Sequence, residues 1–192
     1  MRAMTTPTEL PFTGDPEADR YLAAEPLALL IGFALDQQVT VQKAFSGPFE
    51  LEKRLGHLDA ARIAAMDGEA LADVFRERPA LHRFPGSMAG KVQALCAVIA
   101  SEYGDDASRV WTEATTGRDL EARLLALPGI GDMKAKSIIA VLGQRYGVRP
   151  PGYEAVAPTW PTLGDVDSAE ALAAYQAGKR AKKAALRAGT AG

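Results

Sequence analysis

The chain has 192 residues, is 47% hydrophobic and 24% charged, carries a net charge of −2 and contains one cysteine, Cys96. Such a length buries one sizeable core, or two small lobes sharing one. A single cysteine excludes an intramolecular disulfide, a zinc site on paired cysteines and a four-cysteine iron–sulfur cluster. With no apolar run of about 20 residues, no transmembrane helix is expected. The opening stretch MRAMTTPTELPFTGDPEADR lacks the apolar segment of a signal peptide, so the expected location is cytoplasmic.

The elements read as helices almost throughout. DPEADRYLAAEP is a short helix with Pro16 near its start. PLALLIGFALDQQVTVQKAFSGP reads as one long helix, buried all round where Leu27, Leu29 and Leu30 begin its apolar run and ended by Gly47-Pro48. PFELEKRLGHL follows, then LDAARIAAM with Asp59 as N-cap and DGEALADVFRE with Asp67 as N-cap. In SMAGKVQALCAVIASEYG, Met88, Val92, Leu95, Ile99 and Tyr103 recur at three- and four-residue spacing, and Cys96 reads as core filler. GRDLEARLLALPG and DMKAKSIIAVLGQRYG form a helical hairpin over residues 120–143. Residues 148–164, rich in proline and glycine, are irregular. A basic helix over 168–188 follows. There is no strand pattern and no fixed-period repeat, so the expected fold is all-α, a single helical unit over 1–192.

The hairpin turn is the informative stretch. In LPGIGDMKAKSIIAVLG, residues 127–143, Pro128 stops the incoming helix at Leu127. Gly129 and Gly131 permit positive φ and clear side chains from the turn. Ile130 is expected to point inward and Asp132 to cap the next helix. A row of unobstructed backbone N–H groups at a helix N-terminus is an anion site sized for phosphate. Lys134 and Lys136 add Coulomb attraction, and they do so against the helix dipole. The plainer alternative is an ordinary corner between two helices.

Several other residues bear weighing. Asp36 lies in an otherwise apolar helix beside Gln37 and Gln38, and a buried carboxylate needs a partner or a role. His57 and His82 have no metal-ligand companions; His82-Arg83 precedes a turn and either serves structure or touches a ligand. Trp111 reads as core. Tyr153 and Trp160 lie in the irregular segment and either anchor it or offer a stacking surface. Residues 176–192 carry five positive charges and no acid, which leaves −7 on the rest. A basic tail on an acidic body suits a phosphate-rich partner, or is a solvated helix end.

Residues Leu127 to Ala135 fit, without a gap, the L-P-G-[VI]-G motif of the helix-hairpin-helix (HhH-GPD) superfamily of base-excision DNA glycosylases, which the chain resembles. LLIGFALDQQVTVQKA is similar to that family's early helix, where Gln38 takes the place of a glutamine that enters the duplex near the expelled base. HRFPGSMAGKVQAL is similar to its glycine-turn segment, in which Lys91 opens a helix. The three matches stand in family order over about residues 25 to 147, and DQQ and HRFPGSMA resemble a short actinobacterial-type branch without an iron–sulfur cluster. The resemblance implies a two-lobed glycosylase fold and a monomer. It implies double-stranded DNA as partner, with no membrane and no cofactor. The DNA contacts would be Gly129, Ile130, Gly131, Lys134, Lys136, Gln38 and Lys91, with pocket residues Gln37, His82, Tyr153 and Trp160.

Two departures bear on chemistry. Met133 stands where lyase-active relatives carry the nucleophilic lysine, so no Schiff base with the sugar is expected. Pro151 stands where they carry the aspartate that supports the departing base. Glu154 and Asp36 are the candidate substitutes. The expectation is a monofunctional DNA glycosylase, slow or restricted to labile bases such as cationic alkylpurines. The alternatives are a non-catalytic DNA-binding or lesion-sensing protein on the same fold, and a helical scaffold for a protein partner.

Overall fold

The computed structural model describes residues 5–189, all helix, turn and loop, with no strand among them. The last three residues of the basic tail and the first four of the N-terminus lie outside the described residues. Helix α1 (Pro16–Ala24) starts where the Asp15 carboxylate accepts the Glu17 N–H, with Pro16 in the first turn. Helix α2 (Pro26–Leu35) is buried on every side from Leu27 to Leu35, as its unbroken apolar run requires.

The long helix expected over 26–48 is two helices. The chain breaks after Leu35, Gln38 takes φ 56°, and Thr40 caps α3 (Val41–Leu55) by accepting the Lys43 N–H at 3.2 Å. Gly47-Pro48 does not end α3, which runs on to a left-handed cap at Gly56, φ 75°. Pro48 costs the helix the hydrogen bond to Ala44, but α3 is pressed on α2 at that point. A Cβ on Gly47 would lie 2.6 Å from Leu35 Cδ1, and one on Gly32 would overlap the Phe45 ring. Each glycine makes room for a side chain of the facing helix, Phe45 against Gly32 and Leu35 against Gly47, and this contact carries α3 across its proline.

Helices α4 (Ala60–Ala65) and α5 (Gly68–Arg76) start at Asp59 and Asp67, whose carboxylates cap them as expected. Both pack on the long helix α6 (Pro85–Tyr103), which also touches α2. Met88, Val92, Leu95, Cys96, Ile99 and Tyr103 of α6 are buried, and burial pushes the Cys96 thiol up to about 12. After a short α7 (Arg109–Thr112) with Trp111 buried, α8 (Gly117–Leu125) and α9 (Asp132–Arg145) pack as the hairpin pair. The irregular segment contains 3-10 turns at Tyr153–Ala155 and Leu163–Asp165. Helix α10 (Ala169–Gly189) closes the chain and buries only Leu172. One continuous hydrophobic cluster runs from Leu10 to Leu172.

Candidate functional site

The loop after α2 is held open from beneath. His82 is buried, at 2% exposure. Its Nδ1 lies 3.0 Å from the Phe84 N–H and so accepts from it. Nε2 therefore carries the proton and faces two carbonyls, Leu35 at 3.1 Å and Gln37 at 3.0 Å. Burial holds the imidazole below its ordinary pKa, in the neutral form this pattern needs. His82 is thus a structural post beneath the site and not a group at its surface. Above it, Gln37 Oε1 accepts from Lys91 Nζ at 2.7 Å. Gln38 stands exposed in a left-handed conformation, uncommon for a residue with a side chain.

The hairpin turn abuts the same loop. Gly129 has φ +82°, which calls for glycine, and a Cβ there would lie 3.4 Å from Ala34 Cβ. Gly131 differs from expectation: its φ is −96°, which any residue adopts, and nothing lies within 4 Å of its Cβ direction. Ile130 points inward, 5% exposed. Asp132 does not cap α9; it is the helix's first residue, and no side chain caps the N-terminus. Among the described residues, no acceptor reaches the N–H groups of Gly131, Asp132, Met133 and Lys134. These are the orphan donors of a helix start.

Lys134 does not reach outward from that start. Its Nζ donates to Ala34 O and Gly129 O, each at 3.2 Å, and so pins the hairpin to the end of α2. Burial lowers its pKa, while Asp36 nearby favours the charged form. The Asp36 carboxyl is pushed up by burial and held back by the positive charges of Lys179 and Lys134. Asp36 itself receives no side-chain hydrogen bond or ion pair among the described residues; its backbone N–H closes α2. Tyr175 of α10 is raised to about 12 by burial and by the Asp36 charge. Asp36 is therefore a half-buried carboxylate between the hairpin and the root of α10.

The other candidates lie elsewhere. Lys136 is two residues from Lys134 and leaves α9 about 200° round from it. It pairs with Glu121 at 2.7 Å and donates to Val156 O at 2.7 Å, holding the loop to α8 and α9. Glu154 is exposed in that loop. Tyr153 is buried, donates its hydroxyl to Ile139 O at 3.2 Å and fills the space a side chain on Gly143 would need. It is an anchor and not a stacking surface. Trp160 lines a shallow groove with Gln144 and Asp165. Gln144 lies ten residues along α9 from Lys134, about 15 Å of helix rise.

Two residues at the site, Phe84 and Tyr175, had no distinct sequence signal. Phe84 stands 40% exposed at the start of α6 with the Arg83 guanidinium 5.3 Å from its ring centre. Tyr175 and Lys179 join the site only because α10 folds back onto it. Met133 is 65% exposed in the first turn of α9. No protein-family model matches the chain, and no curated protein matches it. No helix among the described residues is long and apolar enough to cross a membrane.

Proposed function

We propose that this protein binds double-stranded DNA through the 129–134 hairpin and acts in base-excision repair as a glycosylase without lyase activity. The observation that carries the reading is convergence. Segments around Asp36, His82 and Gly129, more than 40 residues apart in sequence, meet through His82–Leu35, His82–Gln37, Lys91–Gln37 and Lys134–Ala34 hydrogen bonds. They surround an uncapped helix start and a half-buried carboxylate. The N–H row would hold a backbone phosphate. Gln38 follows the Gln37 carbonyl that His82 holds, and Phe84 carries the N–H that His82 accepts; both are exposed and placed to enter a duplex.

Asp36 is the carboxylate of choice over Glu154. As a general base it takes a proton from water while the water oxygen bonds to the sugar C1′ and the C1′–N bond breaks, its electron pair leaving with the base. Burial raises its basicity, and the positive charges of Lys179 and Lys134 favour the ionised form against that burial. Met133 supplies no amine, so the product is an abasic site on an uncut strand. The test is base release from a panel of lesion-bearing duplexes, cationic alkylpurines included. The parent should release at least one base, and Asp36→Asn should abolish this while still binding duplex. A second reading, lesion binding without chemistry, is favoured by the exposure of Glu154 and by proline at 151. Duplex binding with no base release would select it.

A further inference from the structure

Helix α10 is anchored only at its root. Leu172 is buried and Tyr175 half-buried, while every residue from Ala177 to Gly189 is exposed. After Glu170 the sequence has no acid. At about 100° per residue, Lys179, Arg180, Lys183 and Arg187 fall on one arc of about 100°. Ala177, Ala181, Ala184, Ala185 and Ala188 occupy the opposite side. No carboxylate among the described residues pairs with Lys179, Arg180, Lys182 or Lys183. The stripe also has a fixed origin. Lys179 Nζ lies 5.3 Å from the centre of the Tyr175 ring, and its charge acts on Asp36, which adjoins the hairpin through Lys134. Lys179 and Lys134 both act on the Asp36 carboxyl, and the outer cations continue from Lys179 along α10.

We infer that the basic stripe of α10 binds the sugar–phosphate backbone of the same DNA duplex that the hairpin holds, and that it adds affinity without reading sequence. The inference rests on the DNA-binding reading above. From Lys179 to Arg187 the helix rises about 12 Å, which spans three to four nucleotides at about 3.4 Å per strand. Flexible cations at that spacing meet successive phosphates. A membrane surface fits less well, because helices that lie in a bilayer interface set bulky apolar side chains opposite the charges. Here that face is alanine, and Leu186 is the one bulky aliphatic residue between 176 and 189.

The test compares the full chain with Arg180→Gln/Lys183→Gln/Arg187→Gln. The positions are exposed and glutamine keeps helix propensity, so the fold is not at risk. Binding to a short undamaged duplex is measured by fluorescence anisotropy across a salt series. Vesicles of phosphatidylcholine and phosphatidylserine serve as the second probe. Three phosphate contacts predict that the slope of log K against log salt becomes shallower by about 2.7 in the variant, with residual binding retained through the hairpin. Equal slopes for parent and variant would overturn the role of α10 and leave the hairpin reading intact. No duplex binding by the parent at low salt would overturn both. Vesicle binding lost in the variant, with duplex isotherms unchanged, would reassign the stripe to a membrane surface.

Discussion

Replacing His82 with phenylalanine keeps the ring in place and removes both nitrogens. Leu35 O keeps one partner, the Gln37 N–H at 2.7 Å. Among the described residues, the Gln37 carbonyl and the Phe84 N–H lose their only partners. Each is part-buried, and an orphaned buried group costs about 1–3 kcal/mol. Taking about 3 kcal/mol for the pair, and about 2–4 °C per kcal/mol for a domain of this size, Tm should fall by roughly 6–12 °C. The pH dependence supplies a second check. Burial lowers the folded pKa of His82 below the ordinary histidine value of 6.5, so the unfolded chain binds the proton more readily. His82 therefore contributes its stability above about pH 6.5 and loses it as the pH falls below that value. The gap in Tm between parent and His82→Phe should narrow on acidification. Duplex binding should weaken as well, because the Gln37–Gln38 loop and Phe84 are released together. Scanning calorimetry at neutral and mildly acidic pH reads both effects. A variant that melts with the parent, or a gap indifferent to pH, would refute the account of His82 as the post beneath the loop.

Gly131→Tyr should leave the melting temperature nearly unchanged, since its φ is ordinary and its Cβ direction empty. It should weaken binding to damaged and undamaged duplexes alike, because it obstructs phosphate contacts and not base contacts; equal binding by the folded variant would reduce the hairpin to a corner. Asp36→Asn should raise thermal stability at neutral pH. Its folded pKa is raised, so the group costs stability as pH rises from the unfolded value through the folded one, and the amide removes that cost. A lower Tm for Asp36→Asn would show that the carboxylate is a structural partner. Lys179→Ala should move the acid limb of any base-release profile to higher pH, as the carboxyl loses a stabilising charge; an unmoved limb would separate Asp36 from the chemistry. Borohydride should trap no protein–DNA adduct, given Met133, and a trapped adduct would identify an amine nucleophile.

The division between local and long-range causes is visible residue by residue. Asp15, Asp59 and Asp67 cap helices through N–H groups two or three positions away, so their roles are legible from neighbours alone. The apolar run from Leu27 to Leu35 needs burial on all sides whatever surrounds it, and Pro128-Gly129 enforces a turn by its own backbone preferences. The break after Leu35 is different: the Thr40 cap is local, but the loop takes its shape from His82, 45 and 47 residues further along the chain. The continuation of α3 through Pro48 rests on its contact with Leu35 of another helix. Lys134 and Lys136 look equivalent in sequence, and only the packing of α9 turns one toward Ala34 and the other toward Val156. Tyr153 and Trp160, equal candidates in one irregular segment, are separated by whether a gap in the core is there to receive the ring. The turn at Pro128-Gly129, the aspartate caps and the apolar runs were legible in the sequence, since those follow from bonds and neighbours. Which polar groups share one site was decided by tertiary packing, because a hydrogen bond across 45 residues depends on every helix between its ends.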